Sequence, residues 1–325
     1  MERLNVDVAV IGAGTAGLNA RHEVEKRGGR ALLIESTAYG TTCARFGCMP
    51  SKLLIAAAEA AHSLDVAPAF GVHAGSPRID GAAVMQRVQR ERDRFVGFVV
   101  ADTEKIDAAQ RRSGRARFIG PTRLAIDERL EVDARAVVVA AGSRPFVPAP
   151  FDAVRADVMT SDEVFELADL PASIAVIGTG VIALELGQAM HRLGVRTAFF
   201  SPFDELGPFT DPEIRRIVRR DLGGELDLRT GVRMRDAQTV PGGMLLRWQE
   251  ASGEVQEETF ARVLVAAGRR PALEGLGLEA TGLPLDAGGL PAIDAQTTQC
   301  GDAPIFFAGD VSGHLPLLHE ASDEG

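Results

Sequence analysis

The stretch Val6-Asp7-Val8-Ala9-Val10-Ile11-Gly12-Ala13-Gly14-Thr15-Ala16-Gly17 decides how this chain folds. A short run of β-branched and small apolar residues reads as a buried parallel strand. It breaks at once into Gly-x-Gly-x-x-Gly and continues as a helical pattern over Ala16–Arg27. Each glycine has a separate duty in such a turn. Gly12 makes the tight bend, Gly14 lets a pyrophosphate approach the backbone, and Gly17 lets helix and strand pack closely. The free amides at the helix start then face the phosphates. Glu35 closes the next strand, Ala31–Glu35, 18 residues after Gly17, where a carboxylate accepts both hydroxyls of an adenosine ribose. Strand, turn, helix and acid fall in register, which predicts a dinucleotide site.

The pattern returns later in the chain. Ala175-Val176-Ile177-Gly178-Thr179-Gly180 repeats Ala9–Gly14, with Ala183 at the third glycine position. Val137-Val138-Val139-Ala140-Ala141-Gly142-Ser143-Arg144-Pro145 is echoed by Val263-Leu264-Val265-Ala266-Ala267-Gly268-Arg269-Arg270-Pro271. Two modules of similar construction follow one another, so the predicted class is α/β with two Rossmann-like dinucleotide-binding domains. The expected division is a first domain of 1–150 plus 284–325 and a second of 151–283, with a break in the proline-rich run Arg144–Pro150. Ser201, followed by Pro202, holds the position that Glu35 holds in the first module. It is neither an acid suited to NAD nor an arginine suited to NADP, so the residues leave that choice open.

Composition removes several function classes. The 325 residues carry a net charge of −10, with no basic surplus to neutralise nucleic-acid phosphates. One Trp and one Tyr give no platform for base stacking. The start Met1-Glu2-Arg3-Leu4 lacks the basic region of a signal peptide, and no uninterrupted apolar run reaches the roughly 18 residues of a membrane span. The expectation is a cytoplasmic protein without membrane or nucleic-acid partners. The long pattern Gly81–Gln110, with Val84, Val88, Phe95 and Val99 among Arg and Glu, reads as an amphipathic helix with a solvated face.

Three cysteines cannot build a disulfide framework. Two of them sit in Gly40-Thr41-Thr42-Cys43-Ala44-Arg45-Phe46-Gly47-Cys48-Met49-Pro50-Ser51-Lys52, four residues apart and at the start of a helical pattern. A helix N-terminus favours a thiolate, the nucleophilic and electron-donating form. No local His or further Cys completes a zinc site, so no metal is expected. A redox pair and two inert buried cysteines remain the readings from the residues alone. Cys300 reads as an ordinary lone thiol.

Taken in order, these motifs resemble the pyridine nucleotide–disulfide oxidoreductases of the high-molecular-weight class, most closely the dihydrolipoamide dehydrogenases. The shared elements are the first glycine fingerprint, Cys-x4-Cys-x-Pro-Ser-Lys, Ala-Gly-Ser-Arg-Pro, the second fingerprint and Phe307-Ala308-Gly309-Asp310. The resemblance implies FAD and NAD(H) as cofactors, with NADP(H) still open, and a lipoamide-type disulfide or dithiol as substrate. It implies Cys43 as the exchange thiol and Cys48 as the thiol beside the flavin. Lys52 and Glu185 would form an ion pair at the flavin's reactive nitrogen. Thr42, Gly142, Gly309 and Asp310 would line the flavin site, and the helix opening at Leu318 and His319 would aim its amides at the flavin ring. Gly178, Gly180, Ala183, Ser201 and Gly268 would line the nicotinamide site. Thr41 departs from the family, which has glycine there. The family also continues into a C-terminal dimerisation domain carrying a His–Glu acid–base pair. That domain is expected to be absent here, which predicts impaired lipoamide turnover. Two alternatives stand beside this: a non-catalytic flavoprotein fragment, and a related mercuric, glutathione or thioredoxin-type reductase.

Overall fold

The computed structural model describes residues 2–73, 75 and 78–325. In chain order the elements begin β1 (Glu2–Ile11), α1 (Thr15–Lys26), β2 (Ala31–Glu35), α2 (Thr42–Arg45), α3 (Cys48–Val66) and α4 (Gly81–Glu104). There follow β3 (Arg111–Ser113), β4 (Ala116–Phe118), β5 (Arg123–Ile126), β6 (Leu130–Val139), β7 (Ser143–Pro145) and β8 (Ser173–Ile177). Next come α5 (Val181–Arg192), β9 (Arg196–Ser201), α6 (Pro212–Glu225), β10 (Asp227–Thr230) and β11 (Arg233–Val240). The chain closes with β12 (Gly243–Gln249), β13 (Val255–Phe260), β14 (Arg262–Val265), β15 (Arg269–Pro271), β16 (Ile305–Phe307) and α7 (Leu318–Glu324).

Contacts gather these elements into two compact units, one of Met1–Cys43, Phe95–Arg144 and Arg270–Gly325, the other of Ala44–Arg94 and Pro145–Arg269. In the first unit the sheet runs β3-β2-β1-β6-β5-β4, and β16 adds to β6. The pairs β1–β2, β1–β6, β2–β3 and β6–β16 are parallel, whereas β4, β5 and β6 form an antiparallel meander. Ala31, Leu32, Leu33 and Ile34 are each at most 2% exposed, so β2 is buried on both faces as its unbroken apolar run requires. Leu32 and Ile34 join Phe118, Val137, Val139, Ile305 and Phe307 in one core, while Leu33 packs with Val10 and Ala20 on the α1 side.

The second unit has a parallel sheet, β10-β9-β8-β14, and an antiparallel one, β11-β12-β13. Its main core joins Leu54, Ala58 and Ala61 of α3 to Ala183, Leu186 and Met190 of α5 and to Ile174, Val176 and Phe199 of the parallel sheet. A second core sets Phe200 against Trp248 and Phe260, edge to face with centroids 4.9 and 5.9 Å apart. Helix α6 starts on a capped turn: Pro212 holds its first position, and the Asp211 carboxylate accepts from the amides of Glu213 (2.8 Å) and Ile214 (3.2 Å).

Helix α4 stops at Glu104, six residues before the end of the predicted pattern, because the chain turns at Ile106 and enters the edge strand β3. Among the described residues one helical stretch, Thr42–Phe70, is long and apolar enough by length and composition to cross a membrane, although polar residues interrupt its apolar run. Within it, α3 turns Pro50, Ser51, Leu54, Ala58 and Ala61 into the protein, the one-sided burial of a core-facing helix.

The glycines of α1 and α4 make opposite predictions. A Cβ on buried Gly17 would lie 1.9 Å from the Gly12 carbonyl oxygen, whereas one on Gly97 would meet nothing within 4 Å. Gly17→Ala should therefore destabilise the fold by about 2 kcal/mol or more, and Gly97→Ala should stabilise it by roughly 0.5–1 kcal/mol. Denaturant midpoints of the two variants, measured side by side, check the difference in sign.

Candidate functional site

The first glycine turn lies where β1 ends under β6. Gly12 adopts φ +107°, and a Cβ there would stand 2.2 Å from the Ala140 carbonyl oxygen, so only glycine fits. Gly14 is the N-cap of α1 and supplies no side-chain cap, and the first turn holds no acid. Amides at that end are left for an outside acceptor. Space above Gly14 is open, with nothing within 4 Å of a Cβ. Glu35, at the end of β2, spans the gap from the other side. Its Oε2 accepts from the Ala13 amide at 2.8 Å, and its Oε1 accepts from the Thr37 amide and hydroxyl, each at 2.8 Å. An open cradle, uncapped amides and a fixed carboxylate fit an adenine dinucleotide such as FAD.

The same unit brings distant residues to the end of β16. Ser143 Oγ donates to Asp310 Oδ2 at 2.7 Å across 167 residues of sequence, and the Gly309 amide donates to Glu324 Oε2 at 2.6 Å. Gly142 sits at φ +69°, and its carbonyl accepts from the Ala272 amide at 3.0 Å. Leu318 and His319 open the seven-residue α7 and are both exposed; the His319 imidazole lies 3.6 Å from Glu320.

In the second unit the turn is repeated almost atom for atom. Gly178 adopts φ +120°, with its absent Cβ 2.3 Å from the Ala266 carbonyl oxygen, and Gly180 caps α5 without a side-chain bond and under open space. Ala183 is fully buried, while Gly268, beyond β14, is exposed. Ser201 ends β9 only 3% exposed, and its hydroxyl accepts from the Phe203 amide at 3.1 Å. No carboxylate stands at that position.

The cysteine segment straddles the two units: Cys43 falls in the first and Cys48 in the second. Cys43 is half-buried on the single turn of α2, preceded by exposed Thr42. Thr41 takes φ +51°, a left-handed conformation that favours glycine and strains a β-branched residue by about 1–3 kcal/mol. Cys48 is exposed and opens α3, a helix of 19 residues with no side-chain cap and no acid in its first turn. Pro50 and Ser51 are buried behind it, and the Ser51 hydroxyl donates to the Cys48 carbonyl at 3.2 Å. One turn on, Lys52 Nζ meets Glu185 Oε1 of α5 at 2.6 Å, with the two side chains 58% and 34% exposed. The packing of Leu54 and Ala58 against Ala183 and Leu186 fixes that meeting. Cys300 is fully buried in the first core, where burial pushes its thiol up to about 11. Among the described residues no group of three or more His, Cys, Asp or Glu could hold a metal.

Sequence reading missed three groups that the structure places here: Ser143, Thr37 and Glu324. Ser143 lies inside a repeated motif, but nothing local signals its bond to Asp310. Thr37 carried a usable signal, since a hydroxyl two residues after a strand-ending acid commonly bonds it back.

Two Rossmann-type glycine turns and a cysteine pair at a helix start define a disulfide reductase that works with two dinucleotides. The family model described as pyridine nucleotide-disulphide oxidoreductase matches residues 6–325, and the chain belongs to that family. The family's members are FAD-dependent and use NAD(P)H, and this chain is an oxidoreductase of the same flavoprotein class. It is 32% identical to a dihydrolipoyl dehydrogenase of Thermus scotoductus over 98% of its own length and 69% of the relative's. It is 34% identical to dihydrolipoyl dehydrogenase 3 of Pseudomonas aeruginosa, again over 98% and 69%, and 30% identical to a glutathione reductase of Burkholderia cepacia over 100% and 71%. Its fold is also that of the HOCl-induced flavoprotein disulfide reductase RclA of Escherichia coli, with a TM-score of 0.82 and 22% identity over 99% of this chain and 69% of that one.

Thiol environments predict an order of reaction. After reduction with dithiothreitol, iodoacetamide at pH 8 should label exposed Cys48 first, half-buried Cys43 more slowly, and Cys300 only once the protein is unfolded. At that pH a thiol raised to about 11 holds almost no thiolate. Peptide mapping over time reads the order directly.

Proposed function

We propose that this chain exchanges electrons between a nicotinamide and a small dithiol–disulfide pair of the lipoamide type, with Cys43 and Cys48 as its redox pair. The domain of residues 1–150 plus 284–325 takes FAD, and that of 151–283 takes the nicotinamide. The observation that carries this reading is exposed Cys48 at the uncapped start of α3, one turn before the Lys52–Glu185 pair. The names of the dihydrolipoyl dehydrogenase relatives support the lipoamide class.

In the reducing direction, the Cys43 thiolate attacks one sulfur of the substrate disulfide. A Cys43–substrate disulfide forms, and the other substrate sulfur leaves as a thiolate that takes up a proton. Cys48, held as thiolate by the amides of the first turn of α3, then attacks Cys43. The second substrate thiol is released, and the two electrons have come from the pair, which closes as Cys43–Cys48. A flavin held there would supply the two-electron link between the reduced nicotinamide and that disulfide. Glu35 would hold the ribose and the α1 amides the pyrophosphate of the first dinucleotide, while the Ser143–Asp310 pair would present a carboxylate to a polyol chain. Lys52, held in place by Glu185, would supply positive charge to the flavin. A reducing, cytoplasmic setting suits a pair that must be regenerated as dithiol.

Cys43→Ser and Cys48→Ser should each cut nicotinamide-dependent disulfide reduction by on the order of a thousandfold or more, while leaving the rate with an artificial acceptor such as ferricyanide nearly unchanged. Retention of disulfide turnover by Cys48→Ser would overturn the assignment, and a purified protein without flavin absorbance would overturn the role of the first loop. Lys52→Ala should lower the flavin reduction potential, because a positive charge near the ring favours its reduced, anionic form. Equilibrium titration against a reference dye measures that shift.

A further inference from the structure

The two glycine loops match in backbone but differ in the residue that closes the second strand. Glu35 accepts from the amide two residues on, at Thr37, and reaches across to the Ala13 amide of the glycine turn. Ser201 repeats the first bond, to the amide of Phe203, and is too short for the second. Thr179, the counterpart of Ala13, instead donates its hydroxyl to the Glu205 carbonyl at 2.8 Å. The carboxylate that would accept ribose hydroxyls, and repel a phosphate, is therefore missing from the second loop.

A guanidinium stands close by. Arg219 of α6 directs Nη2 to the Asp204 backbone oxygen, to Asp204 Oδ1 at 3.3 Å and to Thr230 Oγ1 at 3.1 Å. Asp204 follows the end of β9 by three residues and Thr230 is the last residue of β10, so these bonds fix the group at the C-terminal ends of both strands. Nε and Nη1 of Arg219 make no protein hydrogen bond among the described residues, and its side chain is 46% exposed. Ligands of open parallel sheets bind at this edge.

We propose that Arg219 receives the 2′-phosphate of a phosphorylated nicotinamide dinucleotide, so that the second loop selects NADP(H) over NAD(H). This inference rests on the reading of Gly178–Ala183 as the nicotinamide loop. Two free donors on a fixed guanidinium suit phosphate oxygens, and such charge-assisted bonds are roughly twice as strong as neutral ones. Asp204, with its side chain 78% exposed, offsets part of the charge and moderates the preference.

The test is calorimetric titration of the flavin-loaded protein with adenosine 2′,5′-bisphosphate and with 5′-AMP. The bisphosphate should bind about tenfold more tightly, or better. Arg219→Gln should abolish that ratio, and Asp204→Asn should enlarge it. The ratio is the readout, because a mere loosening of the loop would weaken both ligands together. Equal binding of the two nucleotides, or a ratio that survives Arg219→Gln, would overturn the inference and leave the loop assignment standing. If neither nucleotide binds, the loop assignment falls as well.

Discussion

At Gly12 the chain passes so near the Ala140 carbonyl that a Cβ would lie 2.2 Å from its oxygen, and at Gly178 the same contact recurs with Ala266 at 2.3 Å. Everything else about the two sites follows from this approach of one backbone to another. It lets β1 and β8 end directly beneath the start of a helix, which leaves that helix's first amides uncapped and open to a phosphate. The contrast with α6 is instructive. There Asp211 satisfies the same kind of amides with its own carboxylate, and that helix end has nothing left to offer a ligand.

Charge is then distributed by packing rather than by composition. The chain as a whole carries −10, yet the residues placed at the helix starts are neutral or thiol-bearing. Lys52 and Glu185, 133 residues apart, meet because α3 and α5 bury an alanine- and leucine-rich seam between them. A partly exposed pair of this kind adds little stability. It does fix a positive charge one turn from Cys48. Thr41 carries the opposite lesson: a left-handed β-branched residue two positions before Cys43 costs stability.

Much of the parallel framework was legible in the chain itself. The strand predicted at Ala31–Glu35 forms over those residues, and the helices after each glycine turn start within one residue of expectation. The antiparallel sheet β11–β13 went unread, although Met244, Leu246 and Trp248 alternate inward as a half-buried strand should. β3 had no apolar signal to read, since Arg111-Arg112-Ser113 is strand only because the edge of β2 offers it partners. Propensity yields to tertiary pairing in such segments.

The sequence by itself determined the class of fold, the two glycine turns and the cysteine segment, because each depends on residue types at short, fixed spacing. Glycine alone permits the turn, and a strand buried on both faces must be apolar throughout. The tertiary structure decided which distant side chains meet: Ser143 with Asp310, Lys52 with Glu185, and Arg219 with Thr230 at the end of β10. Those pairings span between 11 and 167 residues of chain. No local spacing encodes them, since what brings the partners together is the burial of apolar faces elsewhere on the same helices and strands.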